Sequence, residues 1–257
     1  MSLDRRRWLG GAGAALGSLW LTGCDRLVAS PAFNGVLRVA EKWSQGAQRL
    51  VTDRQALARE FAPADISSDF RANGTRRPQD PDYVALLAEN FAGYRLMVDG
   101  LVEQPLSLTL AEVRAAPSRT QITRHDCVEG WSSIGKWKGA RLAALLDRAR
   151  LKPEARYIVF HCADTLDPSA TDGTGRYYES IDLIDAYHPQ TILAYQMNDT
   201  TLPVPHGAPL RLRVERQLGY KHAKYVVRIE AVATLDGIGL GSGGFWPDRG
   251  YEWYAGI

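Results

Sequence analysis

Hydrophobic and polar positions change period repeatedly along this chain. From Ser30 to about Pro63 there are helical patches, with Leu57 and Phe61 four apart inside the stretch Asp53 to Phe61. Tyr94-Arg95-Leu96-Met97-Val98 reads as a strand, and Asp99-Gly100 is a tight-turn pair leading into Leu101-Val102, which predicts a hairpin. Thr109 with Glu112 fits a capping box that opens a short helix to Ala116. Arg119 to Thr123 has strand character. Leu142, Leu145, Leu146 and Ala149 fall on one helical face. Pro153 separates that helix from a buried strand, Arg156 to Phe160, with His161-Cys162-Ala163-Asp164 at its end. A polar loop (Thr165 to Gly175), a short helix (Ile181 to Tyr187) and a strand (Thr191 to Met197, turning at Asn198-Asp199) come next. Two more strands, Leu210 to Val214 and Lys224 to Ala233, bracket a loop at Gly219. The tail from Gly237 is glycine-rich and ends in an aromatic cluster. Strands and short helices mix without a βαβ rhythm or an internal repeat, so the predicted class is α+β.

Composition narrows the function classes. The 257 residues, 45% hydrophobic and 23% charged, suit one or two globular domains with a proper core. The formal net charge is +2. Arg5, Arg6 and Arg7 against Asp4 supply that +2 by themselves, so the remainder is near neutral and nothing points to a nucleic-acid partner. The three cysteines, Cys24, Cys127 and Cys162, are too few for a disulfide scaffold.

Residues 1–24 read as a leader outside the fold. Arg5-Arg6-Arg7-Trp8-Leu9 resembles a twin-arginine export signal, a route that carries folded and often cofactor-loaded proteins. The apolar run Gly10 to Leu21 is short for a membrane span, which needs about 20 residues. Leu21-Thr22-Gly23-Cys24 resembles a bacterial lipobox, which implies a lipid anchor at Cys24, and Asp25 resembles the signal that keeps lipoproteins on the inner membrane. The alternative is an ordinary signal peptide, or a signal anchor, with a chance cysteine.

The chemistry centres on His125-Asp126-Cys127-Val128-Glu129-Gly130-Trp131-Ser132. His125 and Cys127 are two apart and project to the same side of an extended chain. A thiol at a strand end, held by a glycine-containing turn and roofed by an indole, suits a nucleophile, a disulfide half or a soft metal ligand. Paired CxxC spacing, as in a zinc site, is absent. A Cys127–Cys162 disulfide is one alternative in an oxidising compartment. A thiol hydrolase using Cys127 with His125 or His161 is another, without an oxyanion or orienting motif to support it.

Cys127-Val128-Glu129-Gly130-Trp131-Ser132 resembles the metal-binding stretch of the sulfite oxidase superfamily of molybdopterin-binding oxidoreductases. The match is closest to the branch containing the catalytic subunit of periplasmic protein-methionine-sulfoxide reductase, and it extends from about Ser67 to the C-terminus. The resemblance implies a mixed-sheet molybdopterin-binding domain over residues 63–257, preceded by an extension over 25–62. It implies Mo-molybdopterin as cofactor, with the Cys127 thiolate binding molybdenum. One dithiolene and one thiolate give three sulfurs, which leaves positions for oxygen. The turn-rich segment around Arg71, Ala72 and Asn73 corresponds to a pterin-contacting loop in relatives; a plain surface turn is the alternative. His206-Gly207-Ala208-Pro209-Leu210-Arg211 and Gly219-Tyr220-Lys221-His222-Ala223-Lys224 look like the superfamily's cofactor-binding motifs. They assign His206, Arg211, His222, Ala223 and Lys224 as contacts, because a phosphate needs the fork of an arginine, the point charge of a lysine and glycine-loop amides. A solvated basic hairpin would show the same alternation. Cys162 stands where relatives place a small polar residue near the cofactor, though a buried cysteine at a strand end is the plainer reading. The tail Asp248 to Gly256 is similar to the methionine-sulfoxide-reductase branch. Tyr251 is the candidate to face the metal, with Tyr254 as the alternative register and aromatic packing as the alternative role.

Two departures bear on the substrate. Sulfite oxidases carry an arginine five residues after the metal cysteine, and here Ser132 stands there. The dimerisation domain of sulfite oxidases has no counterpart before Ile257, so a monomer is expected. The expected function is therefore two-electron oxygen-atom transfer at the periplasmic face of the inner membrane. It is read as reduction of a sulfoxide or similar S- or N-oxide, with electrons from a membrane cytochrome b; the chain has no haem-attachment motif of its own. Oxidation of sulfite or another small substrate is the alternative, and a non-catalytic binding lipoprotein the weaker one.

Overall fold

The computed structural model describes residues 30–257. The predicted export signal and Cys24 lie outside the described residues. The chain divides into two compact units, Met1–Val51 and Thr52–Ile257. The first contains helix α1 (Pro31–Val51). The second starts at Thr52, earlier than the Pro63 boundary read from the sequence.

The second unit is built on two five-stranded sheets. One holds, in spatial order, β2 (Leu106–Thr109), β1 (Arg95–Gly100), β10 (Val226–Val232), β5 (Tyr157–Thr165) and β6 (Arg176–Asp182). The other holds β3 (Ser118–Asp126), β4 (Ser132–Arg141), β7 (Ile192–Met197) and β8 (Thr200–Thr201), with β9 (Arg211–Arg213) also paired to β7. The β1–β10 pair is parallel and the other ladders are antiparallel. Four short helices complete the unit: α2 (Pro81–Ala88), α3 (Leu110–Ala115), α4 (Leu142–Ala149) and α5 (Leu183–Ala186). This is the mixed-sheet α+β arrangement expected.

The core follows from the predicted apolar faces. Leu142, Leu145, Leu146 and Ala149 of α4 are buried in one cluster with Leu96 and Val98 of β1, Ile158 and Phe160 of β5, and Ile229 of β10. Helix α3 opens on the predicted capping box, with Thr109 Oγ1 accepting from Glu112 N and Glu112 Oε2 accepting from Thr109 N at 2.8 Å.

Strand β3 inverts the usual pattern, because its buried row is polar: Gln121, Thr123 and His125. Each side chain meets a fixed partner. Gln121 Nε2 donates to Glu215 Oε1 (2.8 Å) and to the Gln190 carbonyl (3.0 Å). Arg213 Nη2 donates to Thr123 Oγ1 (3.4 Å), and Arg213 Nη1 meets His125 Nδ1 (3.0 Å). Arg213 is itself paired with Glu215 at 2.6 Å, both fully buried. A one-residue slip of β3 would turn this row outward and leave the ion pair without its polar neighbours. The row thereby sets where the chain delivers Cys127.

Several expectations are corrected. Asp53 to Phe61 is not helical, because its backbone groups are claimed from outside. Ala58 N donates to Gln190 Oε1 (2.8 Å), Phe61 N to Ile122 O (2.9 Å), and Arg216 Nη1 to Asp53 O (3.0 Å). Asp99-Gly100 does not make the tight hairpin; β1 runs through Gly100 and its antiparallel partner begins only at Leu106. Gly100 has φ +81° and lies against the backbone of Ala231, where a side chain would collide. His161 to Asp164 lies within β5 rather than after it, and β6 runs on through Ile181 and Asp182, the predicted helix start.

Candidate active site

Cys127 follows β3 directly, in the turn to β4. Its amide donates to Trp131 O (2.9 Å) and its carbonyl accepts from Gly130 N (3.0 Å), which closes the turn and leaves the thiol facing a pocket. Asn73 Nδ2 lies 4.0 Å from Cys127 Sγ. Burial, the largest influence, raises the thiol above its ordinary pKa. Cys127, in the turn after β3, and Cys162, within β5, are both free thiols, so the disulfide alternative is not realised.

The pocket has an empty volume of about 770 Å³ counted out to open solvent. Five residues singled out from the sequence line it together: Asn73, Cys127, His222, Lys224 and Tyr251. They arrive from four separate segments. Tyr251 is on the wall and Tyr254 is not. The Tyr251 ring stacks on Trp246 (centroids 5.1 Å apart, 24°) and meets Tyr220 edge-on (5.4 Å).

Six of the singled-out residues do not line the pocket. Arg71 is exposed, its guanidinium 5.6 Å from the Trp131 ring, and Ala72 lies beside it. Cys162 and Ala223 are in the apolar core. Cys162 Sγ has a weak contact to Phe160 O (3.9 Å), and burial holds its thiol far above the ordinary range; this is the packed cysteine rather than a contact. His206 and Arg211 stand behind the wall. Arg211 donates to His206 O (3.0 Å) and reaches His222 O (3.5 Å). Its guanidinium lies 5.0 Å from the Trp137 ring, while that of Arg213 lies 4.4 Å away. Sequence reading passed over Asp164, Tyr177 and Trp246. Nothing in their local spacing marks them, because β5, β6 and the tail bring them to the pocket from distant parts of the chain.

Electrostatically the site is a buried cationic nest. Lys224 Nζ donates to the carbonyls of Asn73 (2.7 Å), Thr75 and Pro205 (3.1 Å). Burial first, then repulsion from Arg211, brings its pKa down to about 7. Burial lifts Asp164 to about 6. His125, His206 and His222 are held neutral, each by burial first and then by neighbouring cations. Four buried polar atoms here have no partner: His125 Nε2, His206 Nδ1, His222 Nδ1 and Arg211 Nε. Since Arg213 donates to His125 Nδ1, the ring proton sits on Nε2, against Gly219. A Cβ on Gly219 would fall 2.5 Å from that nitrogen and 3.1 Å from Asp126 O. Gly219→Ala is expected to cost about 1–3 kcal/mol through overpacking and to lower cofactor content, as chemical denaturation and metal analysis would show.

The family model for the oxidoreductase molybdopterin-binding domain matches residues 84–236. The chain belongs to this family. It is a molybdopterin-dependent oxidoreductase, and its cofactor is Mo-molybdopterin. It is 34% identical to the putative protein-methionine-sulfoxide reductase subunit YedZ1 of Azospira oryzae, over 92% of this chain and 81% of the relative. It is 32% identical to the protein-methionine-sulfoxide reductase catalytic subunit MsrP of Campylobacter jejuni, over 56% of this chain; this chain spans about half the length of that relative (51%). Among solved structures, the sulfane dehydrogenase SoxCD from Paracoccus pantotrophus matches 56% of this chain and 39% of that one, at 25% identity and a TM-score of 0.49.

The donor set of this molybdopterin-binding domain fits the cofactor. Arg211, Arg213 and Lys224 crowd together and depress one another or their histidine neighbours, a repulsion that an anionic phosphate would relieve. The unpartnered nitrogens include both N–H donors and a bare imidazole acceptor, as a polar heterocycle requires. Among the described residues no cluster of three or more His, Cys, Asp or Glu could hold an ion by itself. A lone thiolate completing a sulfur ligand set is the coordination the site offers.

The same burial gives the domain a pH dependence. His125, His188, His206 and His222 all titrate below their ordinary value when folded. As pH falls below about 6.5 the unfolded chain takes up protons that the folded state refuses, so stability falls. Asp164 and Glu179, raised to about 6 and about 7, act in the opposite direction between about pH 4 and 7 and offset part of this. The four histidines outnumber them, so the melting temperature of cofactor-free protein is expected to be lower at pH 5 than at pH 7.5.

Proposed function

We propose that this oxidoreductase reduces a sulfoxide, of the methionine sulfoxide class, at the periplasmic face of the inner membrane. Electrons come from a membrane cytochrome b, and the enzyme works as a monomer tethered through Cys24. The observation that carries this reading is a free thiol, Cys127, opening into a pocket whose walls join a cationic nest to an apolar aromatic side. Similarity to protein-methionine-sulfoxide reductase subunits supports the sulfoxide.

Cys127 would hold the metal, and Lys224 with Arg211 behind it would balance the phosphate of the cofactor. His222, which lines the pocket, would offer a further polar contact, and His125 stands behind Gly219. Molybdopterin, when bound, supplies two-electron oxygen-atom exchange at molybdenum. The chain's own part is to position and protonate. Leu166, Val128, Trp246 and Tyr251 give the pocket an apolar wall that suits the alkyl arms of a thioether or sulfoxide. Glu129 also lines the pocket, and Ser132, which replaces the sulfite-oxidase arginine, is spent on Asp126 (2.5 Å). An acid on the wall and no arginine at that position favour a neutral substrate over the sulfite dianion. Reduction of a sulfoxide takes two electrons and two protons and releases water; the Tyr251 phenol, on the wall and exposed, is placed to pass a proton toward the departing oxygen and to regain one from bulk water.

Turnover of a panel of sulfoxides, N-oxides and sulfite with a dye donor or acceptor tests this. Methionine sulfoxide or a small dialkyl sulfoxide should be reduced. Preferential oxidation of sulfite would overturn the reading. Tyr251→Phe is expected to lower kcat about 10- to 100-fold with little change in KM.

A further inference from the structure

Helix α1 turns apolar side chains to solvent. Val36, Val39, Trp43, Leu50 and Val51 are each more than half exposed, Trp43 to 78% and Leu50 to 88%. Their spacing keeps them on one stripe of a 3.6-residue helix, and Gln45 lies opposite Val36. The helix is too polar to cross a membrane. Gly35 and Gly46 sit in it with open space where a Cβ would be, so no packing contact among the described residues accounts for them. Glycine is the weakest helix former after proline, and two of them weaken the helix's own propensity in water. Such a helix needs a surface that accepts its stripe.

The sequence says which surface. Arg38, Lys42 and Arg49 against Glu41 leave α1 with +2, whereas the rest of the chain beyond the leader is near neutral. A tryptophan in the apolar stripe suits the boundary between headgroups and acyl chains. The chain from Cys24 to Pro31 reaches at most about 25 Å when extended. A lipid at Cys24 would hold the start of α1 within that distance of the headgroups.

We infer that α1 is an interfacial helix that lies in the plane of an anionic lipid surface, its Val36–Trp43–Leu50 stripe among the acyl chains. The inference rests on the membrane-face location proposed above, and it adds a second attachment to the lipid anchor. A basic amphipathic helix is the kind of signal that acts beside an acyl anchor at an anionic surface.

The test uses metal-loaded holoenzyme carrying Val36→Cys or Gln45→Cys, labelled with an environment-sensitive fluorophore. Each is mixed with vesicles of phosphatidylethanolamine and phosphatidylglycerol containing nitroxide-labelled acyl chains. Quenching at position 36 should exceed that at position 45 by at least about threefold, and should weaken in phosphatidylcholine vesicles. Equal quenching at both positions, or none, with the protein sedimenting with the vesicles, overturns the inference and leaves the anchor as the only tether. Shielding of position 36 without lipid, together with self-association, overturns it in favour of a second copy. Fractionation of cells reads the location separately. Absence from the membrane fraction alongside quenching at position 36 would remove the localisation reading and keep the helix.

Discussion

Cys127→Ala is expected to purify folded but without molybdenum, and to lose at least about three orders of magnitude in turnover, roughly 4 kcal/mol of transition-state stabilisation. The substitution removes one sulfur at a pocket wall and disturbs no backbone contact, since the turn is closed by the amide and carbonyl of residue 127. Folding should therefore survive, as circular dichroism and a thermal melt would show. Cys162→Ala is the contrasting case. That thiol is packed in the core, so its loss should cost about 1–2 kcal/mol of stability and leave the metal in place. Equal molybdenum in wild type and Cys127→Ala would end the assignment of this sulfur as ligand. Loss of metal from Cys162→Ala, without loss of fold, would move Cys162 back into the site.

Lys224→Met is the second large effect. The ammonium group ties the Asn73–Thr75 loop to Pro205 through three carbonyls and faces Asp164. A thioether of similar length keeps the volume but leaves these acceptors unpaired in a buried place, at about 1–3 kcal/mol for each that water cannot reach. The expected result is a melting temperature lower by about 10 °C and loss of the cofactor on gel filtration. The two readouts separate the roles. A fall in melting temperature with full cofactor retention would make Lys224 a structural staple alone. Retention of both would remove it from the site altogether.

Much of the scaffold was legible in the chain because local rules act over a few residues. The helical face of Leu142, Leu145, Leu146 and Ala149, the Thr109–Glu112 cap and the Asn198-Asp199 turn are each decided by neighbours within one or two turns of chain. Where partners came from far away, local rules failed. Asp53 to Phe61 has helical spacing but spends its amides and carbonyls on Gln190, Ile122 and Arg216. The buried polar row of β3 breaks the apolar-in rule because Arg213 and Glu215 wait on the other side.

The division within the site has the same cause. The sequence by itself determined the candidates: one thiol in a distinctive turn, a lysine and an arginine in glycine-bearing segments, and a tyrosine in the tail. Residue type and spacing left the thiol open between nucleophile, disulfide half and soft ligand, and the resemblance to the molybdopterin family chose among them. Only the tertiary structure decided which of these share a pocket. It kept Asn73, Cys127, His222, Lys224 and Tyr251, set Arg211 and His206 behind them, sent Cys162 and Ala223 into the core, and added Asp164, Tyr177 and Trp246. Proximity across two sheets depends on strand order and register, which are fixed by burial and pairing between segments far apart in the chain and leave no mark on the residues beside any one of them.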